Sequence, residues 1–357
     1  MTNRLLAVPA LVVLLAGCAG GKHAGPTPSS RPPQAAKLDA LARDTLRERA
    51  MRTLREAAAS SDPRVRANAM EAAGHASQRC QDLLRTGLGD SNLAVRTVAA
   101  LTIGRHSVTA LVPDVRPLLT DASAHVQVAA IYAMVRCGER VDRSPLGAIV
   151  VGDPSLRVRA NAAWALGEMG DPSALPLLRQ ASANKPARAS QSEFNMFQLQ
   201  IAEAMVKLGD ERQLEPLRAS LYPARPEDLE LTALAVQILG EVKDRGSADQ
   251  LIYLSATRDQ AGQRMPAEVR LAIATAMAKM GWPQGDFIAD EFIRDRSDTI
   301  RSQAAGVYGE TGTPDNLGIL EALLADADWG VRVAAGGAVL RITDRFGSGS
   351  AGGAQAR

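Results

Sequence analysis

The apolar residues of one stretch, residues 153–170, are spaced as on a single face of a helix. They lie at intervals of three or four, so a period of 3.6 residues aligns them on one side. Asp153 and Pro154 suit an N-cap and a first helical position, and Gly170 suits the C-terminal cap. The pattern therefore predicts one amphipathic helix between two end signals. The residues on its apolar face are Val158, Ala162, Ala165, Leu166 and Met169.

The same pattern is repeated along most of the chain. In each copy, small apolar residues lie four, seven and eight positions after an anchor residue, and the anchors are 30 to 39 residues apart. This spacing fits two helices and two short loops, so the sequence predicts an all-α fold, an α-solenoid of about nine helical hairpins over residues 37–343. Glycines nine or twelve residues after the anchor are interpreted as helix terminators. The anchors are Val65, Val95, Val126, Val158, Phe197, Leu231, Val269, Ile300 and Val331.

Composition supports this fold class and narrows the choice of partners. Hydrophobic residues make up 46% of the chain and aromatic residues only 3%, which favours close-packed helices over a β-sandwich or barrel. The 41 basic and 39 acidic residues leave a formal charge of +2, so no net field attracts a nucleic acid or an acidic membrane surface. We therefore expect no nucleic-acid partner.

The consensus of the copies, D-P-x-x-x-V-R-x-x-A-A-x-A-L-G-x-x-G-D, resembles HEAT repeats of the short type found in phycobilisome lyases and many bacterial proteins. The resemblance covers residues 45–343. It implies a ladder of bonds along the stack, between an aspartate before each second helix and an arginine just after the anchor. Gln127, Gln198 and Thr232 replace the arginine in three central copies, where the ladder should be interrupted. The copies that retain both residues have Asp90/Arg96, Asp153/Arg159, Asp295/Arg301 and Asp326/Arg332.

Residues 1–17 have the features of an export signal. Arg4 precedes an apolar run from Leu5 to Leu15, and the sequence Leu-Ala-Gly-Cys then ends at Cys18. This tetrapeptide resembles the lipobox of bacterial lipoproteins, which implies cleavage before Cys18 and lipidation of that residue. Ala19 resembles the residue found there in lipoproteins that are forwarded to the outer membrane. The alternatives are an ordinary cleaved signal and an uncleaved membrane anchor.

The segments that flank the repeats have little to bury. Residues 18–36 are rich in Gly, Pro, Ser and Ala and are predicted to form a disordered tether, and residues 344–357 a disordered tail. The expected location is the bacterial outer membrane, with the folded part in the periplasm or at the cell surface. An oxidising compartment would allow a disulfide between Cys80 and Cys137, but the apolar residues at positions equivalent to Cys137 favour a free, buried thiol.

Residues that support catalysis are few and scattered. His23 lies in the tether, and His75, His106 and His125 lie in separate copies. No H-E-x-x-H, C-x-x-C, phosphate-binding glycine loop or G-x-S-x-G motif is present. The resemblance implies that relatives attach tetrapyrrole pigments to cysteine residues, but no residue of such a site can be identified here, and fold alone does not define function. We therefore predict no catalytic, cofactor-binding or metal-binding residues and no enzymatic activity.

The second helices of a curved stack usually line its concave face. Position six, counted from each anchor, brings Leu101, Tyr132 and Trp164 next to one another in successive copies. Tyrosine and tryptophan in an exposed groove are typical of recognition sites. The alternative is that Trp164 packs against a neighbouring helix. The candidate partner-binding residues are Leu101, Tyr132, Trp164, Glu203, Arg105, Arg136, Asn161 and Gln200.

These observations predict a non-catalytic scaffold that is tethered to the envelope membrane through lipid on Cys18. A protein or peptide segment from the envelope would lie along the groove near repeats two to five, and the chain is expected to be monomeric. Two other functions stay open: a periplasmic enzyme or an accessory subunit of one, and a structural spacer. A compact polar cleft with converging acid and base residues would favour catalysis, whereas a spacer would have no apolar patch and no preferred partner.

Overall fold

The computed structural model describes residues 39–223, 228–258 and 262–347. The predicted signal peptide with Cys18, the predicted tether and residues 348–357 of the predicted tail lie outside the described residues. The last helix continues to Gly347, four residues into the segment that was predicted as a tail. None of the described helices has the length and apolar character needed to cross a membrane.

In the described residues, eighteen α-helices follow one another as nine hairpins, as the repeat predicts. The first helix of each hairpin lies on the outside of the molecule, and several are extended by a turn of 3-10 helix. The outer helices are α1 (Ala40–Ala58), α3 (Gln81–Leu88), α5 (Val112–Val115), α7 (Ser144–Gly152), α9 (Leu175–Ala183), α11 (Leu214–Ala219), α13 (Ala248–Ala256), α15 (Asp286–Phe292) and α17 (Leu317–Leu323).

The second helix of each hairpin lies on the inside and packs against the second helix of the next hairpin. These helices carry the anchor residues and the small apolar side chains that pack between layers. The inner helices are α2 (Pro63–Ala73), α4 (Leu93–Arg105), α6 (Ala124–Arg136), α8 (Leu156–Met169), α10 (Gln191–Lys207), α12 (Leu229–Glu241), α14 (Ala267–Lys279), α16 (Asp298–Thr311) and α18 (Trp329–Gly347).

In five hairpins the aspartate before the inner helix closes a turn and does not cap the helix directly, whereas Asp62 is the N-cap of α2. Helix α8 begins at Leu156, two residues later than predicted, because Asp153 Oδ1 accepts the backbone N–H of Ser155 at 2.8 Å. This short turn brings the chain into the helix and keeps Pro154 outside it. In other repeats an aspartate Oδ1 likewise accepts the backbone N–H of the residue two positions later. These aspartates are Asp90, Asp121, Asp295 and Asp326.

The ladder of aspartate and arginine is confirmed in part, and where it forms it joins consecutive repeats. Arg159 and Arg332, which were predicted to belong to it, donate to backbone carbonyls and not to a carboxylate of the next repeat. Arg96 donates to both carboxylate oxygens of Asp121 in the next repeat at 2.9 and 3.1 Å, and to the backbone carbonyl of Asp90 in its own repeat. Two-point contacts of this kind fix orientation as well as adding energy. At Gln127, which replaces the arginine, only the bond to the Asp121 carbonyl remains. Steps of the same two-point geometry are Arg66–Asp90 and Arg301–Asp326.

Glycines at two positions of the repeat have different roles, so their interpretation as helix terminators is only partly right. Gly170, twelve residues after its anchor, ends α8 in the left-handed region at φ 70°. Ser107 and Lys243 occupy the same position with φ of 50° and 56°. Glycines nine residues after the anchor have a packing role instead. A Cβ on Gly240 would lie only 2.7 Å from the Cα of Ala276, so these glycines let neighbouring inner helices approach closely.

The stack closes on itself, although the repeat pattern predicted an open curve. The last helix, α18, packs against α1 and α2 as well as against α16 and α17. Gly336 and Gly337 permit this approach, since a Cβ on Gly337 would lie 3.2 Å from the Cβ of Ala72. An ion pair between Arg49 of α1 and Glu321 of α17 crosses the same junction. We call this contact between the first and last repeats the closure, and it makes the nine inner helices a ring.

The hydrophobic core is continuous across the closure. Buried Leu54 of α1 and Val339 of α18 belong to one cluster, and a smaller cluster lies among α10 to α14. Cys80 is buried, Cys137 is half-buried, and both thiols are free. In the described ranges the one β contact is a single antiparallel bridge between residues 258 and 264. The fold is therefore the all-α stack of hairpins that the repeat pattern predicts.

Candidate functional site

Position six of the repeat faces the interior of the ring. Residues at this position on six inner helices line one central cavity, which confirms that the second helices form the inner surface. Position ten also reaches this cavity, one turn further along each helix. The position-six residues that line the cavity are Glu71, Trp164, Gln237, Thr275, Gly306 and Gly337.

One side of the interior is filled by large side chains. At position six of α4, α6, α8 and α10 stand Leu101, Tyr132, Trp164 and Glu203, with only 1% to 6% of their surface exposed. The rings of Tyr132 and Trp164 lie 4.7 Å apart between centroids and are tilted by 55°. The Arg105 guanidinium lies 5.9 Å from the Trp164 ring. We call these four repeats, two to five, the filled half of the ring.

This arrangement corrects the expected exposure of the candidate residues. Leu101, Tyr132, Glu203 and Asn161 were predicted to face an open groove, but they are buried. The reason is the closure, which brings the two sides of the stack together so that these side chains pack on one another. Trp164 packs on Tyr132 of the neighbouring helix, as the alternative interpretation holds, and only its edge reaches the cavity.

The remaining candidate residues are accessible to different degrees. Arg105 is half-buried and lines the cavity. Gln200 is half-buried and Arg136 is exposed, and neither of them lines the cavity. A role of the eight candidate residues in partner binding stays a prediction.

The other side of the interior holds the cavity. We call repeats six to nine and repeat one the open half of the ring; its position-six residues are Gln237, Thr275, Gly306, Gly337 and Glu71. A Cβ on Gly306 would meet nothing within 4 Å. The cavity volume is ≈ 590 Å³, within the range of roughly 300–1,000 Å³ that is usual for ligand sites. The small residues at position six thus decide where the space lies.

Charged side chains surround one end of the cavity, and most of them are paired. Each pair joins two neighbouring repeats, with the cation one repeat after the anion. Such pairs hold the inner helices in register, and all of their members except Lys207 line the cavity. The pairs are Glu71–Arg105 at 3.6 Å, Glu168–Lys207 at 2.6 Å, Glu241–Lys279 and Glu310–Arg341.

For two members of these pairs, Lys207 and Glu241, the partner charge shifts the pKa in favour of the charged form. Burial opposes the charge of Lys207, but the carboxylates of Glu203 and Glu168 raise its pKa above the usual value. Burial likewise works against the charge of Glu241, yet the Lys279 ammonium lowers its pKa. Glu203 is the exception, because burial raises its pKa although Lys207 lies 2.6 Å away. The cavity charges are therefore held mostly in ion pairs.

The opposite end of the cavity offers side-chain amides. Asn68 lines the cavity, and its buried Oδ1 accepts no hydrogen bond from any described residue. An unsatisfied buried acceptor of this kind costs about 1–3 kcal/mol. It therefore favours a ligand that donates a hydrogen bond. Asn161, on the filled half, contacts His125 Nδ1 through Nδ2 at 2.5 Å.

Sequence reasoning missed the residues that create the space. The predicted binding site consisted of large side chains at position six, but the cavity lies where this position holds Thr275, Gly306 and Gly337. The signal was present in the aligned copies, because side-chain volume at position six falls from the central to the C-terminal repeats. Within the described ranges, no group of three or more His, Cys, Asp or Glu residues is placed to hold a metal ion.

A family model described as HEAT repeats matches residues 112–193 and 145–227. These overlapping matches span α5 to α11 and include repeats three to five of the filled half. The central part of this all-α ring of hairpins is therefore similar to HEAT repeats. A search of curated protein sequences finds no match.

Solved structures give similarities of low score. An engineered protein from the Northeast Structural Genomics Consortium is 16% identical, with 86% of this chain and 92% of that chain covered, at a TM-score of 0.32. Human deoxyhypusine hydroxylase in complex with glycerol is 18% identical, with 75% and 97% covered, at a TM-score of 0.37. A second engineered protein from the same consortium is 15% identical, with 73% and 95% covered, at a TM-score of 0.30.

Proposed function

We propose that the protein is a non-catalytic scaffold that holds a segment of a protein partner in the central cavity of the ring. The observation that carries this proposal is the cavity itself, which is lined by seven inner helices and by both polar and apolar side chains. HEAT repeats are in general protein-binding modules, and the matched region contributes Trp164 and Glu168 to the cavity wall.

The lining suits a peptide segment. Trp164, Leu271 and Val333 offer apolar contacts, and Asn68 offers an acceptor with no other donor in the described residues. A peptide backbone carries one N–H donor and one carbonyl acceptor per residue, so it can satisfy such amides while its side chains cover the apolar wall. The volume of ≈ 590 Å³ limits the enclosed part to a few residues.

The charges support binding over catalysis. A general acid or base needs a pKa near the working pH and a path to the substrate. The carboxylates of Glu71, Glu168, Glu241 and Glu310 are instead paired with cations of the neighbouring repeat. Paired groups serve as fixed dipoles that orient a partner, and this favours the scaffold over an enzyme that uses these carboxylates as acid or base.

We further propose that the ring is tethered to the outer membrane of a bacterium through lipid on Cys18. The support is the apolar run from Leu5 to Leu15 followed by Leu-Ala-Gly-Cys, which resembles a lipobox. Substitution Cys18→Ser should move the full-length protein from the membrane fraction to the soluble fraction of cell extracts. Intact mass spectrometry of the wild-type protein should show a mass that includes acyl chains, and an unmodified Cys18 would contradict this proposal.

The cavity can be tested by photocrosslinking in cells. A photoreactive amino acid in place of Thr275 faces the cavity, whereas the same residue in place of Ile252, which is 52% exposed on outer helix α13, is the matched control. The scaffold predicts a discrete adduct at 275 that is absent at 252, with the crosslinked peptide identified by mass spectrometry.

A second variant shows whether the adduct depends on the cavity. Gly306→Leu should fill the space without a clash, and Gly306→Ala leaves most of it open. We expect the adduct at 275 to be lost with Gly306→Leu and kept with Gly306→Ala. Equal labelling in both variants, or no adduct at 275, would contradict the proposal, and the latter is the result expected of a spacer.

A further inference from the structure

A second pocket lies at the closure, where the ends of α2 and α18 meet α1. Its walls are formed by Arg47 of α1, the 3-10 segment Gly74–Arg79 after α2, His106 and the last turns of α18. The pocket volume is ≈ 470 Å³. Two of the arginines in the lining are paired with acids just outside it, Arg79 with Glu48 and Arg341 with Glu310. The charged residues of the lining are Arg47, Arg79, Arg341, Arg345 and Asp344.

Arg47 is the unsatisfied member of this group. Its guanidinium makes no hydrogen bond or ion pair with any residue in the described ranges, and its Nε is buried. A buried donor without an acceptor costs free energy. The cost is larger for a guanidinium than for a neutral donor, because the guanidinium also carries a charge. An oxyanion in the pocket would supply the missing acceptor.

Two other arginines are fixed in position by the fold. Arg345 donates to the backbone carbonyls of Gly309 and Glu310 at 3.2 Å, at the end of α16. Arg341 donates through one nitrogen to the Glu310 carboxylate. Each guanidinium has five N–H donors, so these contacts orient the side chains and leave further donors for a ligand. The site is thus preorganised by the closure.

The two histidines of the pocket add donors and acceptors without adding charge. The rings of His75 and His106 meet edge to face at 6.0 Å between centroids. Burial, together with the nearby charge of Arg341, lowers the pKa of His75 to about 3, so this ring is neutral at physiological pH. The positive charge of the pocket therefore comes from the arginines alone.

We propose that the pocket at the closure binds a phosphoryl group, carried either by a soluble phosphate or by a phospholipid headgroup. Arg47 has no partner in the described residues and Arg345 donates to backbone carbonyls, so neither charge is neutralised by these contacts. Two such guanidinium groups match a dianion better than a carboxylate, and they bind phosphate oxygens at two points. The pocket shares His75, His106 and Arg341 with the central cavity. This inference still goes beyond the proposed function, since Arg47, Arg79 and Arg345 do not line that cavity.

Calorimetric titration of the full-length protein with inorganic phosphate, and separately with acetate, tests the proposal. Arg47→Gln should weaken phosphate binding about tenfold or more, since hydrogen bonds to charged groups contribute about 1.5–3 kcal/mol. Arg79→Gln, a change at an exposed residue that cannot disturb the core, should weaken it by a smaller factor. Arg52→Gln is the matched control, because Arg52 lies on the same helix as Arg47 and is exposed outside the pocket.

Sedimentation of the Cys18→Ser variant, which lacks the proposed lipid anchor, with phosphatidylcholine vesicles, with and without phosphatidic acid, separates the two sources. Binding to the acidic vesicles that is lost with Arg47→Gln assigns the headgroup, and phosphate binding without vesicle binding assigns a soluble phosphate. Equal affinity for acetate and phosphate, an unchanged affinity in Arg47→Gln, or no binding of either probe would overturn the proposal. Gly306→Leu should leave phosphate binding unchanged, so the result is independent of the central cavity.

Discussion

The filled and open halves of the ring share one fold and one repeat but differ in what occupies position six. In the filled half this position carries Leu101, Tyr132, Trp164 and Glu203, which meet near the axis and exclude solvent. In the open half it carries glycine, threonine and polar residues, and the space between the inner helices remains. The backbone therefore sets where the axis runs, while one side chain per repeat sets whether the axis is occupied.

This difference separates two roles that one helix position can have. A large residue at position six contributes to stability by packing across the ring, and a small one contributes to function by leaving room. Both halves contain ion pairs of the same kind between neighbouring repeats, Glu168–Lys207 in the filled half and Glu241–Lys279 in the open half. The contrast between the halves therefore does not come from charge. Two predictions test this division, and a third compares the repeats that carry a histidine with those that do not.

The largest effect is expected from truncation at position six in the filled half. Trp164→Ala should reduce the free energy of unfolding by about 3–5 kcal/mol, because it leaves a void beside Tyr132. Thr275→Ala, at the same position in the open half, should change it by less than about 1 kcal/mol. Urea unfolding followed by circular dichroism measures both. Similar losses in the two variants would show that the halves do not differ in this way.

A smaller effect is expected from enlarging two glycines of the open half. Gly337→Leu should cost about 1–3 kcal/mol, because its Cβ is forced against Ala72 at the closure. Gly306→Leu enters open space and replaces a poor helix former, so it should raise stability by up to about 1 kcal/mol. Thermal unfolding of both variants beside the wild type gives the comparison. A loss of stability in Gly306→Leu would show that the cavity is smaller than described.

The smallest effect is expected from mild acid. The described histidines lie in repeats one to three, and burial lowers the pKa of His75 to about 3. In the unfolded chain the His75 ring binds a proton near pH 6.5, whereas in the folded chain it stays neutral at that pH. The free energy of unfolding is therefore at its full value above that pH and falls as the pH is lowered. For His75 the loss between pH 6.5 and 5.5 should be about 1 kcal/mol.

The control for this prediction is the variant His75→Gln, which should show a shallower decrease than the wild type over the same pH interval. Hydrogen exchange at the two pH values should locate the opening near α2, where His75 follows the helix, and not in α12 to α16, where no histidine occurs. Parallel curves for variant and wild type would exclude His75 as the cause.

The hairpins could be predicted from the sequence because their determinants are local. The spacing of apolar residues defined every inner helix, and the aspartates and arginines of the ladder are set by the same register. Helix starts were less accurate: α8 begins at Leu156, since Asp153 can either cap a helix or close a turn before it, and the apolar pattern does not distinguish the two.

The closure and the cavity could not be predicted in the same way. Whether a stack meets its own beginning depends on a small rotation between repeats that is summed nine times, and no single copy reveals it. The exposure of Tyr132 and Trp164 was misjudged for that reason, because the expected groove was open. Gly336 and Gly337 in α18 were the local signs, as two adjacent glycines within a helix allow a close neighbour.

The closure has a consequence for how the chain folds. An open array of repeats gains stability step by step from nearest neighbours and can fray from either end, but a ring has no end units to lose. Since Arg47 and Arg345 line the same pocket, the two limits of the folded region lie side by side. The molecule should therefore unfold as one cooperative unit and should accept a circular permutation that joins those limits and opens the chain at an outer loop.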